Sequence, residues 1–519
     1  MTRSAFDPPD TTSDDPDAAP ITSRNAIIAA LACWDDLRDT SFTVVGLGKS
    51  GVSAANALCR RGARVLAVDD KPASQLTAAL AQLDPRIDVS TGGSQGFGPT
   101  APLGRRGDLF VLSPGIAPHT RLWRDVHGLA LLVVSEIELF YRLDRASNGG
   151  LGHPIAAISG TDGKTTTTLL TAHLLEAGGY RAIVGGNIGD PLCDFLDTLG
   201  PSDVVVAEVS AFQLRTCSRF RPRVAVVTNI AQDHLDWFSG DMDAYVQTKV
   251  SVGQAMGSGD TLVMNGDDPE LASYRAIARP HACWTFTTQG VPDRGFGFDG
   301  TDLWWCLAPG AKVAILPASE LGSLGRHPIT GLHNVENALS ACGMVLSLGV
   351  PLEAVRQGLR TFTLPSHRME PVGSIGAIRF IDDSKATNPH AAIAGLTSVV
   401  LAEGERLIWI GGGSEKDADF SELGQVVGAK ASAAILLGQT ADRIATVLPA
   451  GLPVERCDRL EDAVPLALQL AGSRGVVLLS PACASFDMFR SYAHRGEVFS
   501  TAVERLQAAL DRHTPRTQG

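Results

Sequence analysis

From residue 41 almost to the end, short apolar runs alternate with helix-patterned stretches, and few folds accommodate that rhythm. Strand-like runs fall at 42–46, 64–69, 108–112, 155–159, 203–209, 223–229, 261–265, 378–382, 407–411, 433–437 and 475–480. Apolar strands separated by helical patterns are the signature of parallel sheets carrying helices on both faces. The prediction is an α/β protein. Its 519 residues, 44% of them hydrophobic, supply cores for roughly two to four domains. Three blocks emerge: 41–147, opening on a glycine turn; 148–364, opening on a second one and holding an irregular Gly/Trp-rich excursion at 289–310; and 365–519, beginning after Leu364-Pro365 and ending in a helix near 497–511. Residues 1–40 form an extension. Its first 20 residues, rich in Asp, Pro, Ser and Thr, are expected to be disordered. Ile27, Leu31 and Trp34 share one helical face, which predicts a short docking helix over 23–38.

The second glycine turn carries the most chemistry. Ile155-Ala-Ala-Ile-Ser-Gly-Thr-Asp-Gly-Lys-Thr-Thr166 reads as a buried strand, a glycine loop and the first turn of a helix. Backbone N–H groups and a helix N-terminus would face phosphates there, with Lys164 as the cation and the Thr165 hydroxyl as a magnesium ligand. The spacing departs from the common P-loop, because Ile158 stands where its first glycine belongs. A Gly-Lys-Thr alone also suits an ordinary αβ turn, but between a clear strand and the helix-forming TTTLLTAHLLEAG it reads as an ATP site.

The first turn, Gly46-Leu-Gly-Lys-Ser-Gly51, follows a strand and precedes a helix and a strand ending in Asp69-Asp70-Lys71. This is the dinucleotide fingerprint with its ribose-binding carboxylate. An oxidoreductase would use it, as would any nucleotide-diphosphate binder, and glycines can serve strand–helix packing alone. An oxidoreductase leaves a second phosphate loop without a purpose. Ser113-Pro-Gly115 adds a small-residue turn at another strand end.

Glu208 interrupts the apolar run Val204–Val209. A buried carboxylate needs a partner, and magnesium shared with Thr165 supplies one; an exposed sheet edge is the alternative. The loop Thr228–Asp236 is dense in ligating groups, among them His234, and Lys249 lies in the helical pattern Asp241–Ala255. Gly185-Gly-Asn-Ile-Gly189 is a compact turn presenting Asn187. In the last block, Phe380–Pro389, Gly411–Lys416 and Val476–Asp487 are three polar strand-end turns, and their lysines, Lys385 and Lys416, suit a small acidic molecule. The nine cysteines are dispersed without a CxxC pair, which points to reduced thiols and a cytoplasmic setting. The net charge of −12 argues against general nucleic-acid binding. No apolar run reaches the roughly 18–20 residues that a bilayer requires, so no membrane partner is expected.

GTDGKTTTT, GGNIGDPL, AEVSAFQL, DHLDW, YVQTK, GLHNVENALSA, PSHRME, IDDSKATNP and LSPACASFDMF occur in this order. Together they resemble the Mur ligase family over roughly residues 41–505. DDSKATNP and LSPACASFD point to its branch that adds D-glutamate to UDP-N-acetylmuramoyl-L-alanine in peptidoglycan precursor synthesis. A folylpolyglutamate-synthase-type ligase is the nearest enzymatic rival. The resemblance implies three domains: Rossmann-like at the N-terminus, P-loop ATPase-like in the centre and Rossmann-like at the C-terminus. It implies a monomer, small-molecule substrates, ATP and two magnesium ions.

The resemblance also implies the following roles. Lys49, Ser50, Asp69, Asp70 and Lys71 line the uridine site, Gly115 lies near the diphosphate, and Asn187 and Ser210 face the UDP-muramoyl substrate. ATP is held by Gly160, Thr161, Asp162, Gly163, Lys164, Thr165, Thr166, Asn334, Asn337, Arg368 and Asp383. Thr165 and Glu208 bind the first magnesium; His234 and a carbamylated Lys249 bind the second. Lys164, Glu208, His234 and Lys249 carry the catalysis. Lys385, Thr387, Lys416, Ser485, Phe486 and Tyr492 form the D-glutamate pocket. The ATP contacts come from two blocks, which implies hinge closure. Departures from the family pattern are Asp162 where Asn is usual, Ala211 in place of Ser, and Asp70-Lys71 in place of Thr-Arg.

Overall fold

A computed structural model describes residues 37–513 except 39, 93–108, 119, 130–131, 149, 232–234, 276–281, 325–326, 329–330, 364–365, 400, 415–417 and 419. The disorder expected for 1–20 and, apart from Leu37 and Arg38, the helix expected over 23–38 lie outside these residues. The chain packs as two compact units, residues 1–168 with 179–284 and residues 169–178 with 285–519.

The first unit holds two parallel sheets. One comprises β1 (Ser41–Val45), β2 (Arg64–Asp69), β3 (Asp88–Thr91), β4 (Leu109–Leu112) and β5 (Leu132–Val134) in the order β3-β2-β1-β4-β5. Every pairing in it is parallel. Helix α1 (Lys49–Arg60) follows β1, and α2 (Glu136–Ser147) follows β5. The other sheet runs β7-β8-β6-β9-β10, with β6 (Ile155–Ser159), β7 (Arg181–Gly186), β8 (Asp203–Glu208), β9 (Val224–Val227) and β10 (Thr261–Asn265). Helix α3 (Lys164–Ala177) starts just past β6, and α4 (Met242–Val250) lies between β9 and β10. Strands β6, β8 and β9 are buried along their whole length, in keeping with their largely apolar sequences. All five strands end on one edge, where the loops that follow them gather.

Glu138 of α2 shows how this unit carries buried charge. Its carboxylate accepts from Arg142 Nη2 at 2.6 Å and from the backbone N–H groups of Ser218, Arg219 and Phe220. Losing one partner would strand a buried charge, which costs roughly 3–5 kcal/mol.

In the second unit, β11 (Ala282–Thr287) runs parallel to β12 (Gly295–Phe298). Strands β12, β13 (Asp302–Ala308) and β14 (Ala311–Pro317) then form an antiparallel meander. Residues 295–298 and 302–308 of the excursion at 289–310 are therefore β-strands rather than irregular chain. Its bulges at Leu303/Trp304 and Cys306/Ala308 break the two-residue alternation by which strands are recognised. A short ribbon pairs β15 (Ser323–Leu324) with β16 (His327–Pro328), and α5 (Leu332–Ser347) follows.

The remaining sheet has the order β17-β18-β22-β19-β20-β21. It is built from β17 (Glu370–Ile375), β18 (Ala377–Asp382), β19 (Arg406–Gly412), β20 (Ala433–Leu437), β21 (Val454–Arg456) and β22 (Arg474–Leu479). Only β17 is antiparallel to its neighbour. Helix α6 (Pro389–Ser398) follows β18, and α7 (Tyr492–His513) closes the chain, starting five residues before the predicted boundary. The eight described cysteines form no disulfide with one another, and five of them are buried.

Candidate active site

The glycine loop after β6 is built by close approach. Gly160 has φ +132°, and a Cβ there would stand 1.9 Å from Thr228 Oγ1 and 2.9 Å from the Thr228 nitrogen. Only glycine lets the loop lie against the strand beside it. Gly163 has φ +75° and turns the chain into α3, whose first residue is Lys164. The loop hangs on the segment after β9. Thr161 N–H donates to the Asn229 carbonyl at 2.9 Å and Asp162 N–H to Asn229 Oδ1 at 2.8 Å. Thr228 Oγ1 donates to the Asp162 carbonyl at 2.6 Å. Lys164 Nζ donates to the Thr161 carbonyl at 2.7 Å, across the mouth of its own loop.

Glu208 ends β8, a strand flanked on both sides, and is 2% exposed. The sheet-edge alternative is thereby removed. Its two oxygens accept from Thr165 Oγ1 at 2.9 Å and from Asn187 Nδ2 at 2.8 Å. A carboxylate and a hydroxyl are hard-oxygen donors of the kind that magnesium takes, and the Asn187 amide meets the carboxylate through its N–H. The structure thus brings Thr165, Asn187 and Glu208 together, with Lys164 next to Thr165 in the chain. Thr166 is buried in the first turn of α3.

Lys249 is 3% exposed on α4, far from the solvated state usual for a helix lysine. Its Nζ donates to the Gly160 carbonyl at 2.5 Å and lies 4.7 Å from the centre of the Tyr245 ring. Tyr245, itself buried, places its hydroxyl 3.2 Å from Thr161 Oγ1. Lys249 therefore lies beneath the phosphate loop. His234 lies outside the described residues.

At the first glycine turn, Asp69 is 8% exposed, and its carboxylate is engaged by the chain itself. Oδ2 accepts from Leu47 N–H at 2.7 Å and Oδ1 from Lys71 N–H at 2.9 Å. It fixes the turn's shape. Gly51 packs so tightly that a Cβ would meet the Gly46 carbonyl at 1.8 Å, and Ser113 Oγ donates to that same carbonyl. Lys49, Asp70, Lys71 and Gly115 are exposed around this turn, and Ser50 is half-buried. Ser210 caps the short helix Ala211–Leu214 in a reciprocal capping box with Gln213, so its hydroxyl has a structural partner.

The second unit gathers a second group. Asp383, directly after β18, is buried, and its Oδ2 accepts from Ser480 Oγ at 2.7 Å. Burial pushes its carboxyl up to about 7, against the pull of the Ser480 hydrogen bond and the Arg368 charge. Arg368 Nε is buried without an acceptor among the described residues, a guanidinium prepared for an anion. His367, at φ +66°, places Nδ1 2.7 Å from Asp382 Oδ2, and its N–H donates to Glu370 Oε2. With the other Asp382 oxygen accepting from Ser384 N–H, this His–Glu–Asp group is a hydrogen-bonded turn rather than an open cation site. Asn334 and Asn337 lie near the start of α5, the latter buried.

Arg495, 3% exposed, clamps two turns of this unit together. It donates to Ser384 Oγ and the Ser384 carbonyl from one side and to the Cys483 carbonyl from the other. Burial lowers its pKa to about 10. Lys385 stands 5.7 Å from the centre of the Tyr492 ring, Ser485 is buried, Thr387 is half-buried and Phe486 is 73% exposed. Lys416 lies outside the described residues.

Sequence reasoning missed Tyr245, Asn229, Asp268, Ser480 and Arg495. Each acts on residues distant in sequence, so spacing carries no signal for it. The exception is Asp268, whose Asn-Gly-Asp-Asp-Pro turn follows an apolar run like the turns that were singled out.

Three family models match the chain: the MurD-like N-terminal domain of Mur ligases over residues 40–134, the Mur ligase middle domain over 158–345, and the Mur ligase glutamate ligase domain over 367–483. A UDP-N-acetylmuramoylalanine--D-glutamate ligase of Pelotomaculum thermopropionicum is 38% identical over 478 residues, covering 91% of this chain and 99% of that protein. The protein of the same name from Chromobacterium violaceum is also 38% identical, over 484 residues, with the same coverage. Among solved structures, a pseudomurein peptide ligase type C from Methanothermus fervidus superposes with a TM-score of 0.51 at 16% identity, covering 90% of this chain and all of that one. MurF from Acinetobacter baumannii gives 0.51 at 18% identity, covering 76% of this chain and 90% of its own. These two share the fold.

Proposed function

This chain belongs to the Mur ligase family, with its three-domain α/β fold, and from that premise we propose that it joins D-glutamate to UDP-N-acetylmuramoyl-L-alanine at the expense of ATP. The reading is carried by one observation. The loop 160–165 presents Lys164 and Thr165 beside Glu208 and Asn187, a phosphate and cation cradle on a sheet edge. The assignment to D-glutamate draws on the relatives' names and on the basic turn around Lys385.

In the reaction, an oxygen of the L-alanyl carboxylate bonds to the γ-phosphorus while the bond to the bridging oxygen breaks, and ADP leaves. The amine nitrogen of D-glutamate then bonds to the acyl carbon, and phosphate leaves with its electron pair. Lys164 and the N–H groups opening α3 neutralise charge on the transferring group, where positioning and electrostatics dominate. Magnesium supplies further charge neutralisation, with Thr165 and Glu208 as the residues that would hold it. The amine must lose a proton before it attacks, and its base is unassigned.

Several finer points belong to this reading. Two metal ions are used, the second held by His234 and Lys249 as its carbamate. The position of Lys249 supports this: it is buried, with its Nζ against the Gly160 carbonyl of the loop. Asn334, Asn337, Arg368 and Asp383 serve ATP. Lys49, Ser50, Asp70, Lys71 and Gly115 serve the UDP moiety. Lys385, Thr387, Lys416, Ser485, Phe486 and Tyr492 serve D-glutamate. The blocks 41–147, 148–364 and 365–519 are the three domains, and the enzyme works as a cytoplasmic monomer; no helix among the described residues is long and apolar enough to cross a membrane.

The test is an acid-quenched ligation assay offering UDP-N-acetylmuramoyl-L-alanine and ATP with D-glutamate, L-glutamate, L-alanine or meso-diaminopimelate. ADP and a new amide are expected with D-glutamate alone. Efficient product with another amino acid would overturn the substrate assignment. For Lys249→Ala, partial rescue by acetate supports the carbamate, and rescue by small amines instead refutes it.

A further inference from the structure

We propose that Asn265 and Asp268, in the turn leaving β10, are positioning residues for the phosphate loop, acting through the backbone of residues 228–231. The proposal rests on the reading of 160–165 as the ATP loop. Both side chains are buried, at 4% and 7% exposure, where each polar atom requires a partner. Asn265 Nδ2 donates to the Thr228 carbonyl at 3.0 Å, and its Oδ1 accepts from Asp267 N–H at 2.8 Å. Asp268 Oδ2 accepts from Ile230 N–H at 2.6 Å, while Oδ1 accepts from the N–H groups of Glu270 and Leu271. From behind, Arg275 Nη1 donates to the carbonyls of Asn265 and Asp268.

Residues 228–231 are thus gripped on two sides. The β10 turn takes the Thr228 carbonyl and the Ile230 N–H. The phosphate loop takes the Thr228 hydroxyl, the Asn229 carbonyl and side chain, and the Ala231 N–H, which donates to Thr161 Oγ1 at 3.0 Å. Alternate groups of one short segment face alternate partners, so a shift of the turn moves Thr161 and Asp162 with it.

Substituting Asp268→Asn puts an NH₂ where a carboxylate oxygen met an N–H. Asn265→Ala removes the side-chain amide and both its hydrogen bonds without changing the charge. Groups that support a ligand-holding group from behind cost about 10- to 100-fold in affinity or activity when removed. We expect both variants to raise KM for ATP at least about tenfold, with the Kd for UDP-N-acetylmuramoyl-L-alanine within about twofold of the parent and Asn265→Ala the milder. A purely structural role would lower the melting temperature and the active fraction while leaving KM for ATP unchanged, and that outcome in both variants overturns the proposal. Equal losses of ATP and UDP-substrate affinity overturn it too. Lys164→Ala run alongside separates the premise from the inference: unaltered ATP turnover there removes the loop reading itself. Loss of turnover in Lys164→Ala with an unchanged KM for ATP in both turn variants removes only the positioning role.

Discussion

Replacing Gly160 by alanine tests the steric account of the phosphate loop. Two costs add. The residue sits at φ +132°, where a side chain is strained by about 1–3 kcal/mol. The new methyl would stand 1.9 Å from Thr228 Oγ1, and relieving such overpacking in a fixed frame costs another ~1–3 kcal/mol. The expected destabilisation of the first unit is therefore roughly 2–6 kcal/mol. Thr228→Ala separates the two terms. It deletes Oγ1 and its bond to the Asp162 carbonyl, at about 1 kcal/mol by itself, and leaves the strain of the backbone at Gly160 in place. In that background the methyl still stands 2.9 Å from the Thr228 nitrogen, so Gly160→Ala keeps its backbone strain of about 1–3 kcal/mol and part of the overpacking, and the double-mutant cycle shows a favourable coupling of at most ~1–3 kcal/mol. Urea unfolding followed by near-ultraviolet circular dichroism measures all four corners. Strict additivity would refute the argument, since it would mean that the methyl never meets the hydroxyl.

Lys164→Ala should abolish ligation while leaving the affinity for the UDP substrate nearly intact, as read by titration calorimetry; equal loss of both would show that the two glycine turns do not act separately. D-Alanine should be a poor substrate beside D-glutamate in steady-state kinetics, because it lacks the side-chain carboxylate that would meet the cations of the Lys385 pocket, and efficient turnover would sink that pocket assignment. His367 carries a pKa raised by its hydrogen bond to Asp382. Its stabilising contribution is complete below the ordinary histidine value of 6.5 and fades as the pH climbs through the raised one. The difference in melting temperature between the parent and His367→Gln should accordingly be largest near about pH 6 and shrink towards about pH 9; a difference that widens with pH would contradict the His367–Asp382 pair.

Much of the architecture was legible because strands buried on both faces carry apolar runs, as β1, β6, β8 and β9 do. Edge strands escape that rule. β7, with its Gly-Gly end, and the short polar β3 give no apolar run to read. The Trp-rich meander was obscured by bulges that shift its alternation. At the site, residue types at strand ends pointed to Lys164, Thr165, Asn187 and Glu208, of which the fold brings the last three into one cluster. What spacing could not reveal is where side-chain atoms are already engaged. Asp69 looks like a ribose ligand, yet both its oxygens hold the turn that carries it. Ser210 looks like a substrate contact, yet it caps a helix. Arg495, which reaches back to a turn 111 residues earlier in the chain, has no local signature at all.

The cysteines turn this molecule into its own stability gauge. Burial pushes the Cys193 thiol well above its ordinary value in the first unit and the Cys342 thiol up to about 12 in the second. Only the thiolate reacts with disulfide or maleimide reagents, so at mildly alkaline pH both sulfurs are silent while their surroundings stay closed. Modification then proceeds only through transient opening. The labelling rate at each sulfur, set against the rate of an unfolded peptide, gives a local free energy of opening, so two sulfurs report separately on two bodies of one chain without any introduced probe.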